Sequence, residues 1–562
     1  MPITIAIMIA LTGLFAKPST ATPNQSAANV AETETSKARP IPAHQPGILI
    51  AFINVVSPTD GKCGMIPQKP GDVMLPSTRM DRQNQQLNRP AKSDMPNPIV
   101  KHPAQQPFNF SGMLAELNAS FQSGKTRSFA WRREQLLAVE RMMSECEADL
   151  FDALRQDLGK SPMEAFTTET SYVSSDAAHC RKNMSRWSRR KRVSTPIVGQ
   201  PGKSWIQPEA LGVVLIIGAW NYPIQLVLAG MNAAIAAGNC VVLKPSELAP
   251  ASSALLARLI PRYLDPDCIR VVEGGVSETT ALLELPFDHI LYTGSASVGR
   301  IVMAAAAKNL TPVTLELGGK SPCVVMPDAN LATTAKRIAW GKFSNAGQIC
   351  IAPDYILTDK KTEARLLPLL EKAVREMFGD DPQRSDSYCR IINSHHFERV
   401  SRLLDSGKLV FGGQSDAADR YIAPTVLVDV PPDSAIMQEE IFGPILPIVR
   451  ADNLEDAIAH IRSGEKPLAA YLFTNDKTTQ EKFLAIVSSG NACINDVMMF
   501  MAVSELPFGG VGESGMGAYS GRRGFETFSH MKSVMKRGWW PDLNVRYAPY
   551  TDKKFRFLRK IR

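Results

Sequence analysis

A regular alternation of strands and helices between residues 211 and 319 constrains the fold of this chain more than any other feature. Short, apolar, β-branched segments, typical of buried strands, recur there: LGVVLIIGAW (211–220), NCVVLKP (239–245), CIRVVEGG (268–275), FDHILYTG (287–294) and PVTLELGG (312–319). Segments with helical periodicity separate them. This spacing predicts parallel βαβ units with right-handed crossovers, and therefore an α/β fold.

Residues able to carry chemistry lie where these predicted strands end. Asn221 follows the first strand, and Lys244 and Glu247 follow the second. Gly294 ends the fourth strand, and Glu316 lies in the last. Because ligands of such sheets bind beyond the carboxyl ends of the strands, we expect these residues to border a common site.

The glycine turn after the fourth strand is a weak signal by spacing alone. Its sequence from Gly294 to Gly299 is G-S-A-S-V-G, which is not the dinucleotide fingerprint G-x-G-x-x-G. It also fails as a phosphate loop, because Arg300 and Ile301 stand where Lys and Ser or Thr are needed. A tight turn from strand to helix explains it equally well.

Three further segments hold candidate residues, and each has an ordinary structural explanation. Cys350 ends KFSNAGQIC, although a lone cysteine is usually a small buried hydrophobe. Glu440 and Phe442 lie in EEIFGP (439–444), an acidic pair beside an aromatic at a turn. The run PFGGVGESGMG (507–517) has five glycines in eleven residues and is a loop that we expect near a ligand.

Taken together, these strings resemble the aldehyde dehydrogenase superfamily from about residue 110 to residue 562. The matching blocks, in family order, are AWNYP (219–223), LKPSE (243–247), YTGSASVG (292–299), LELGGKSP (315–322), NAGQIC (345–350), EEIFGPILP (439–447) and PFGGVGESGMG (507–517). WNYP, INDV (494–497) and the ending RYAPYTDKKFRFLRK resemble the class 3 branch, which favours fatty and aromatic aldehydes and usually forms dimers. The resemblance implies a Rossmann-like coenzyme domain, an α/β catalytic domain and a small oligomerisation arm.

The resemblance implies catalytic roles for three positions and coenzyme contacts for two more. Cys350 matches the nucleophile, and Asn221 matches the amide that, with the Cys350 backbone N–H, donates to the oxyanion. Glu316 matches the general base, Glu440 a residue that holds the nicotinamide ribose, and Phe442 an aromatic near the nicotinamide. Which of Glu316 and Glu440 acts as the main general base stays open, with Glu316 ranked first. Since a free thiol titrates near ~8.5 and only the thiolate attacks, the site should lower the pKa of the cysteine or supply a base.

The resemblance also implies a nicotinamide coenzyme. Lys244 and Glu247 match the pair that contacts the adenosine ribose. A carboxylate there repels a 2′-phosphate, so NAD is the expected coenzyme and NADP the alternative. Ser295 and the turn from Gly294 to Gly299 match the contact between the pyrophosphate and a helix N-terminus. No metal site is expected.

Four apolar or aromatic positions match the substrate tunnel of the class 3 branch: Tyr172, Tyr222, Leu226 and Phe508. They predict an apolar aldehyde tail, of medium or long chain or aromatic. Two other activities stay open. One is an acylating relative that passes the thioester to coenzyme A, and the other is a catalytically silent relative. Retention of both Glu316 and Glu440 argues against the acylating relative, because hydrolysis needs a base and thiolysis does not. Retention of Cys350, Glu316 and Asn221 argues against the silent relative.

The first 108 residues differ in composition and hold fifteen of the forty prolines. We expect a largely disordered extension, since such a stretch buries little apolar surface. Its apolar segment 3–16 has the length of a signal-peptide core but lacks a basic n-region, and a mispredicted start is the alternative. An active cysteine and an intracellular coenzyme favour the cytoplasm, with export or membrane association as the alternative if segment 3–16 is genuine.

The expected domain order is an extension (1–108), a coenzyme domain (109–315) with an arm segment at about 189–211, a catalytic domain (316–510), and a C-terminal oligomerisation and tail segment (511–562). Seven of the twelve residues 181–192 are Arg or Lys, which we interpret as a solvated helix face ending at Pro196 rather than a nucleic-acid site. The basic tail 553–562 is expected to pack on the partner subunit of a homodimer, with peripheral membrane contact as the alternative.

Overall fold

The computed structural model describes residues 109–560. The predicted extension, with its apolar segment 3–16, and the last two residues lie outside the described residues. The α-helices are α1 (Phe110–Gln122), α2 (Phe129–Glu145), α3 (Glu147–Leu158), α4 (Pro162–Ala165), α5 (Ser171–Trp187), α6 (Gln225–Ala237), α7 (Pro250–Tyr263), α8 (Val276–Leu283), α9 (Ala296–Lys308), α10 (Leu331–Phe343), α11 (Lys360–Phe378), α12 (Ser394–Ser401), α13 (Ala435–Gln438), α14 (Leu454–Ser463), α15 (Lys477–Ile486), α16 (Gly521–Thr527) and α17 (Asp552–Lys560).

The strands form four sheets within this part of the chain. They are β1 (Lys191–Val193), β2 (Gly202–Ala210), β3 (Val213–Ile217), β4 (Cys240–Lys244), β5 (Ile269–Val271), β6 (His289–Thr293), β7 (Val313–Glu316), β8 (Pro322–Val325), β9 (Tyr355–Thr358), β10 (Lys408–Phe411), β11 (Ser415–Asp416), β12 (Tyr421–Ile422), β13 (Thr425–Val428), β14 (Ile445–Arg450), β15 (Ala469–Phe473), β16 (Asn491–Ile494), β17 (Gly515–Met516) and β18 (Ser529–Arg537).

The alternating segment forms a six-stranded sheet with the order β17-β7-β6-β3-β4-β5. Its five predicted strands are all present and all parallel, each within a few residues of its predicted bounds. The sixth, β17, comes from the glycine-rich loop and runs antiparallel to β7. The α/β fold class is therefore confirmed.

Helix α6 lies at the centre of this layer and is buried on every side. Its sequence is almost wholly apolar, which is typical of a helix enclosed by protein. It ends where Gly238 takes a left-handed conformation with φ 98°. Its first turn directly follows the loop that carries Asn221, so burial of α6 fixes where that loop begins and ends.

The second large sheet has seven strands in the order β10-β13-β14-β9-β8-β15-β16. Strand β10 is antiparallel to β13, and the remaining neighbours are parallel. Cys350 lies between α10 and β9, and Glu440 lies between α13 and β14. Both residues therefore enter the site from loops that lead into strands of this sheet.

The basic run 181–192 differs from the prediction. Helix α5 ends at Trp187, and Lys191–Val193 form strand β1 instead of continuing a helical face. Strand β1 pairs with β2, which in turn pairs with β18 along nine residues. Backbone pairing with distant strands supplies hydrogen bonds that the local sequence does not reveal. The proposed domain boundaries themselves stay a prediction.

Helix α17 has no buried residue, and it exposes basic and aromatic side chains together. Within residues 109–560, none of the helices combines the length and apolarity needed to cross a membrane. What the tail contacts stays a prediction.

The side chain of Asn239, fully buried after α6, ties three segments together. Its Oδ1 accepts from the N–H groups of Leu211 and Gly212 at 2.8 and 3.0 Å. Its Nδ2 donates to the carbonyls of Ala234 and Phe528 at 3.1 and 2.9 Å. These bonds join the start of β3, the end of α6 and the approach to β18.

We predict that Asn239→Ala lowers the free energy of unfolding by about 3 kcal/mol, because it leaves buried N–H and carbonyl groups without partners. Urea denaturation followed by circular dichroism measures the change. The exposed Asn309→Ala serves as control and should stay within about 0.5 kcal/mol of the parent protein. Equal effects of the two substitutions would contradict the assignment.

Candidate active site

The carboxyl ends of four adjacent strands form one side of the site. Glu316 ends β7, the turn with Ser295 follows β6, Asn221 follows β3, and Lys244 ends β4. Three strand spacings separate the first from the last, roughly 14 Å. The sequence prediction that these residues border one sheet edge is thus met, and the edge is long enough for an extended ligand.

At the β4 end, a buried lysine holds an exposed carboxylate. Lys244 Nζ donates to the Pro245 carbonyl at 2.8 Å and to Glu247 Oε2 at 3.3 Å. The Lys244 side chain is 1% exposed, whereas the Glu247 side chain is 44% exposed. Glu247 can therefore accept hydrogen bonds from a ligand while Lys244 keeps it in place.

The turn after β6 caps helix α9. Ser295 Oγ accepts from the Val298 N–H at 3.4 Å. Gly294 and Gly299 both lie against other side chains: a Cβ at Gly294 would come within 2.2 Å of Tyr292 Oη, and one at Gly299 within 2.8 Å of a Leu317 methyl. A Cβ at either position would thus displace a neighbouring side chain. The first N–H groups of the 13-residue helix α9 follow this turn at the sheet edge.

The loop before Cys350 has an unusual backbone. Asn345, Ala346 and Gly347 all have positive φ values, of 48°, 50° and 75°. Such conformations are costly for residues other than glycine and persist only where the surroundings impose them. Here Gln348 imposes them, since its Nε2 donates to the Asn345 carbonyl at 2.9 Å and its Oε1 accepts from the Ile392 N–H at 3.0 Å.

A hydrogen bond joins this loop to the six-stranded sheet. Asn221 Nδ2 donates to the Gln348 carbonyl at 3.0 Å, and Asn345 Nδ2 donates to the Asn221 carbonyl at 3.0 Å. All three side chains are buried. An amide nitrogen carries two protons, so Asn221 retains a second N–H donor. Its acceptor, Gln348, lies two positions before Cys350 in the sequence.

Glu316 is an acid without hydrogen-bond partners. It is 1% exposed, and neither carboxyl oxygen has a partner among the described residues. Burial raises the pKa of Glu316 well above its usual value, and the nearby Glu440 raises it further. Burial thus favours the neutral carboxyl group, and a carboxylate formed here is a good proton acceptor.

Glu440 is held more firmly. Burial raises the pKa of Glu440 to about 8, with a further contribution from Asp354, while the Gly319 N–H, Lys320 and Arg399 oppose the rise. Its carboxyl group lies so close to the backbone that a Cβ at residue 318 would fall 1.9 Å from Oε2. Glu440 thus has a backbone donor and two nearby cations that favour its ionised form, whereas neither Glu316 oxygen has a hydrogen-bond partner among the described residues.

Cys350 shares this environment. Burial raises the pKa of the Cys350 thiol well above its usual value, and Glu316 and Glu440 raise it further. The N–H groups of Cys350 and Ile351 oppose the rise. Of the two expectations from the sequence, the structure favours a base over a lowered pKa, because burial and two neighbouring carboxyl groups favour the neutral thiol. A base must remove the proton.

Phe442 also has a strained backbone, with φ 46°. Its ring meets the Trp220 ring edge to face, with centroids 5.2 Å apart. The following residue, Gly443, approaches Gly347 so closely that a Cβ on Gly347 would lie 2.2 Å from the Gly443 carbonyl. This contact brings the loop with Glu440 against the loop with Cys350.

The four predicted tunnel residues lie around the same centre. Leu226 is buried one helical turn after Tyr222, and Tyr172 hydrogen-bonds to neighbours on α6 and before α16. Phe508 packs edge to face on Tyr519, with centroids 5.8 Å apart. Tyr519 was not predicted. Its buried hydroxyl has no partner among the described residues and lies within electrostatic range of Glu316, Cys350 and Tyr172.

Nothing in the sequence singles out the groups that support the site from behind: Lys160, Glu164, Glu169 and Cys389. Each is an ordinary residue type without a motif. Their importance rests on contacts between segments that are far apart in the chain, such as Lys160 with Asn221 at 3.0 Å.

Comparison with known proteins agrees with this arrangement. Residues 83–534 match the model of the aldehyde dehydrogenase family. The chain belongs to that family. The resemblance found in the sequence is thus confirmed, including its class 3 character, and the chain is an oxidoreductase that acts on aldehydes with NAD or NADP.

The alignments with relatives of family 3 span nearly the whole length of those relatives. Aldehyde dehydrogenase family 3 member H1 of Arabidopsis thaliana is 49% identical over 456 residues, which are 80% of this chain and 94% of that protein. The dimeric, NADP-preferring aldehyde dehydrogenase of Canis lupus familiaris is 49% identical over 448 residues, 79% and 99% of the two chains. The substrate-bound structure of Staphylococcus aureus AldH has a TM-score of 0.78 at 44% identity and covers 80% of this chain and 99% of that one.

We predict that alkylation of Cys350 by iodoacetamide is slow at pH 7.5 and still accelerates above pH 9, because only the thiolate reacts and its pKa is raised. Glu440→Gln removes a negative charge that opposes ionisation, so alkylation at pH 9 should become about tenfold faster, the effect of one pKa unit. Peptide mass spectrometry at timed intervals measures modification of this cysteine alone.

Glu439→Gln is the matched control, since Glu439 is exposed and adjacent in sequence. It should leave the rate unchanged. A rate profile that levels off below pH 8.5 would contradict the raised pKa.

Proposed function

We propose that this enzyme oxidises medium- or long-chain aliphatic aldehydes, or aromatic aldehydes, to carboxylic acids through a cysteine thioester. The observation that carries the proposal is the link from Asn221 through Gln348 to the Cys350 loop, with the unpaired Glu316 beside the thiol. A nucleophile, an oxyanion donor and a proton acceptor are then within one buried centre.

The proposed reaction begins when a carboxylate beside the sulfur accepts the Cys350 proton and the resulting thiolate attacks the aldehyde carbon. A carbon–sulfur bond forms, and the carbonyl oxygen becomes an oxyanion. The second N–H of Asn221 and the backbone N–H of Cys350 donate to that oxygen and stabilise its charge. A nicotinamide coenzyme held by Glu440 and Phe442 would supply the acceptor for the hydride that leaves the substrate carbon. Water then attacks the resulting thioester and releases the acid and the cysteine.

We assign the activation of that water to Glu316 and a holding role to Glu440. Among the described residues, Glu316 has no hydrogen-bond partner to satisfy its charge, so its carboxylate is the stronger base. Glu440 accepts from the Gly319 N–H and is near two cations, which suits a group that anchors a ribose hydroxyl. Both acids lie close enough to Cys350 to influence its pKa.

The described residues fit a dinucleotide. Glu247 is exposed beside the buried Lys244 and would accept from the adenosine ribose hydroxyls. Ser295 and the start of α9 would meet the pyrophosphate, while Glu440 and Phe442 would lie at the nicotinamide. A Cβ at Gly318 would collide with Glu440, so glycine at this position allows the loop after β7 and the loop with Glu440 to approach each other closely.

The apolar tail of the substrate is proposed to lie among Tyr172, Tyr222, Leu226 and Phe508. Transfer of the thioester to coenzyme A and a silent site are not favoured, since the nucleophile, amide and base are all retained. We further propose a cytoplasmic homodimer. Support comes from the relative named as dimeric and from exposed apolar side chains on and after α9, such as Ile301 and Leu310.

We predict that hexanal, decanal and benzaldehyde are oxidised with formation of NADH or NADPH, and that Cys350→Ala lowers kcat at least about 1000-fold. Absorbance at the wavelength of the reduced coenzyme measures the rate, and chromatography identifies the acid. Cys146→Ala, which changes a partly exposed cysteine elsewhere, should keep full activity. Turnover by Cys350→Ala would rule out the covalent mechanism.

We also predict that Glu247→Gln raises kcat/KM for NADP relative to NAD by about tenfold, because the substitution removes the charge that repels a 2′-phosphate. Steady-state kinetics with each coenzyme at saturating decanal measures the ratio. Glu284→Gln, another exposed carboxylate of this layer, should leave it unchanged. An unchanged ratio in Glu247→Gln would place the ribose elsewhere.

A further inference from the structure

A fully buried ion pair lies behind the Asn221 loop. Lys160 Nζ is 2.6 Å from Glu169 Oε1, and both side chains are 0% exposed. The pair lies between α3 and α5, far in sequence from any of the recognised motifs. Burying two charges carries a large desolvation cost, which further hydrogen bonds must offset.

Those further bonds all go to one segment, residues 221–225. Glu169 Oε2 accepts from the N–H groups of Ile224 and Gln225 at 3.1 and 2.8 Å, at the start of α6. Lys160 Nζ donates to the Asn221 carbonyl at 3.0 Å and lies 3.9 Å from the centroid of the Tyr222 ring. The pair thus binds the loop at its beginning, Asn221, and at its end, Ile224 and Gln225.

The opposite side of the same cluster holds the cysteine loop. Glu164, close to Lys160, accepts from the Asn345 backbone N–H and from Cys389 Sγ, the latter at 3.2 Å. Burial raises the pKa of Glu164, and the Lys160 charge opposes that rise. Lys160 is therefore surrounded by groups that orient both partners of the Asn221–Gln348 hydrogen bond.

We propose that Lys160 and Glu169 are positioning residues that hold the Asn221 amide where it meets the oxyanion. Two apolar side chains could replace a buried ion pair without loss of stability, so stability alone does not require these charges. Directional bonds to the Asn221 carbonyl and to the following N–H groups fix the rotation of this loop, which an apolar pair would not do. The inference rests on the proposed role of Asn221.

The test uses an ester, so that it does not depend on the coenzyme. Attack of the Cys350 thiolate on p-nitrophenyl acetate forms a carbon–sulfur bond and an oxyanion, p-nitrophenolate leaves, and water hydrolyses the acetyl thioester. The release of p-nitrophenolate is measured for Lys160→Met and for the neutral pair Lys160→Met/Glu169→Gln. Aldehyde oxidation is measured alongside.

We expect each variant to lower kcat for both reactions by 10- to 100-fold, with KM changed less than about twofold, because an oxyanion donor acts in the transition state rather than on the bound substrate. In the Asn221→Ala background the same substitutions should lower kcat less than about twofold, since the group they position is gone. Such non-additivity is the signature of action through Asn221.

Arg132→Met is the matched control. Arg132 is a buried cation on α2, and it donates to the Ala236 carbonyl at the opposite end of α6 from the Asn221 loop. Its loss should lower the midpoint of thermal unfolding and leave kcat unchanged. If Lys160→Met and the pair variant do not fold, Glu169→Gln, which keeps the shape of the side chain, takes their place in the cycle.

Three results would overturn the inference. Losses that are equal in the parent and Asn221→Ala backgrounds would show that the pair acts independently of Asn221. A loss of kcat in Arg132→Met as large as in Lys160→Met would show a general effect of destabilised α6. Full activity of Asn221→Ala itself would instead contradict the proposed function of that residue, and with it the reason for positioning it.

Discussion

The hydrogen bond from the Asn221 amide to the Gln348 carbonyl is the interaction on which the site depends. It joins the loop after β3 to the loop before Cys350, and these loops belong to different sheets. The cysteine loop does not have a relaxed conformation alone, since it contains consecutive left-handed residues. The bond is effective because each partner is anchored, Gln348 by its own side chain and Asn221 by groups behind it.

Around this bond lie buried acidic groups that lower the stability of the folded protein. Glu316 is buried with no donor, and burial raises its pKa together with that of Cys350. An unpaired buried carboxyl group destabilises a fold, so its presence is characteristic of a functional site. In contrast, Lys244 and Glu247 form an ordinary hydrogen-bonded pair at the edge, where solvent screens the charge. Reactivity is therefore concentrated at one end of the sheet edge.

The sequence predicted the coenzyme layer well because each element there carries its own signal. Five apolar strands alternate with helices, and each observed strand lies within its predicted segment. The prediction failed where backbone pairing decided the structure. Lys191–Val193 form an edge strand because β2 and β18 offer partners, and β18 lies more than 300 residues away in the sequence. No local pattern reports such a partner.

The sequence by itself determined the family, the fold class and the identity of the reactive groups, because motifs preserve the residue types that the chemistry needs. The tertiary structure alone decided how those groups behave. It raised the pKa of Cys350, for which the sequence had left two options, and it revealed Lys160, Glu169 and Tyr519 at the site. The physical reason is that burial, pKa and hydrogen-bond direction depend on neighbours brought together by folding, and their spacing along the chain does not encode them.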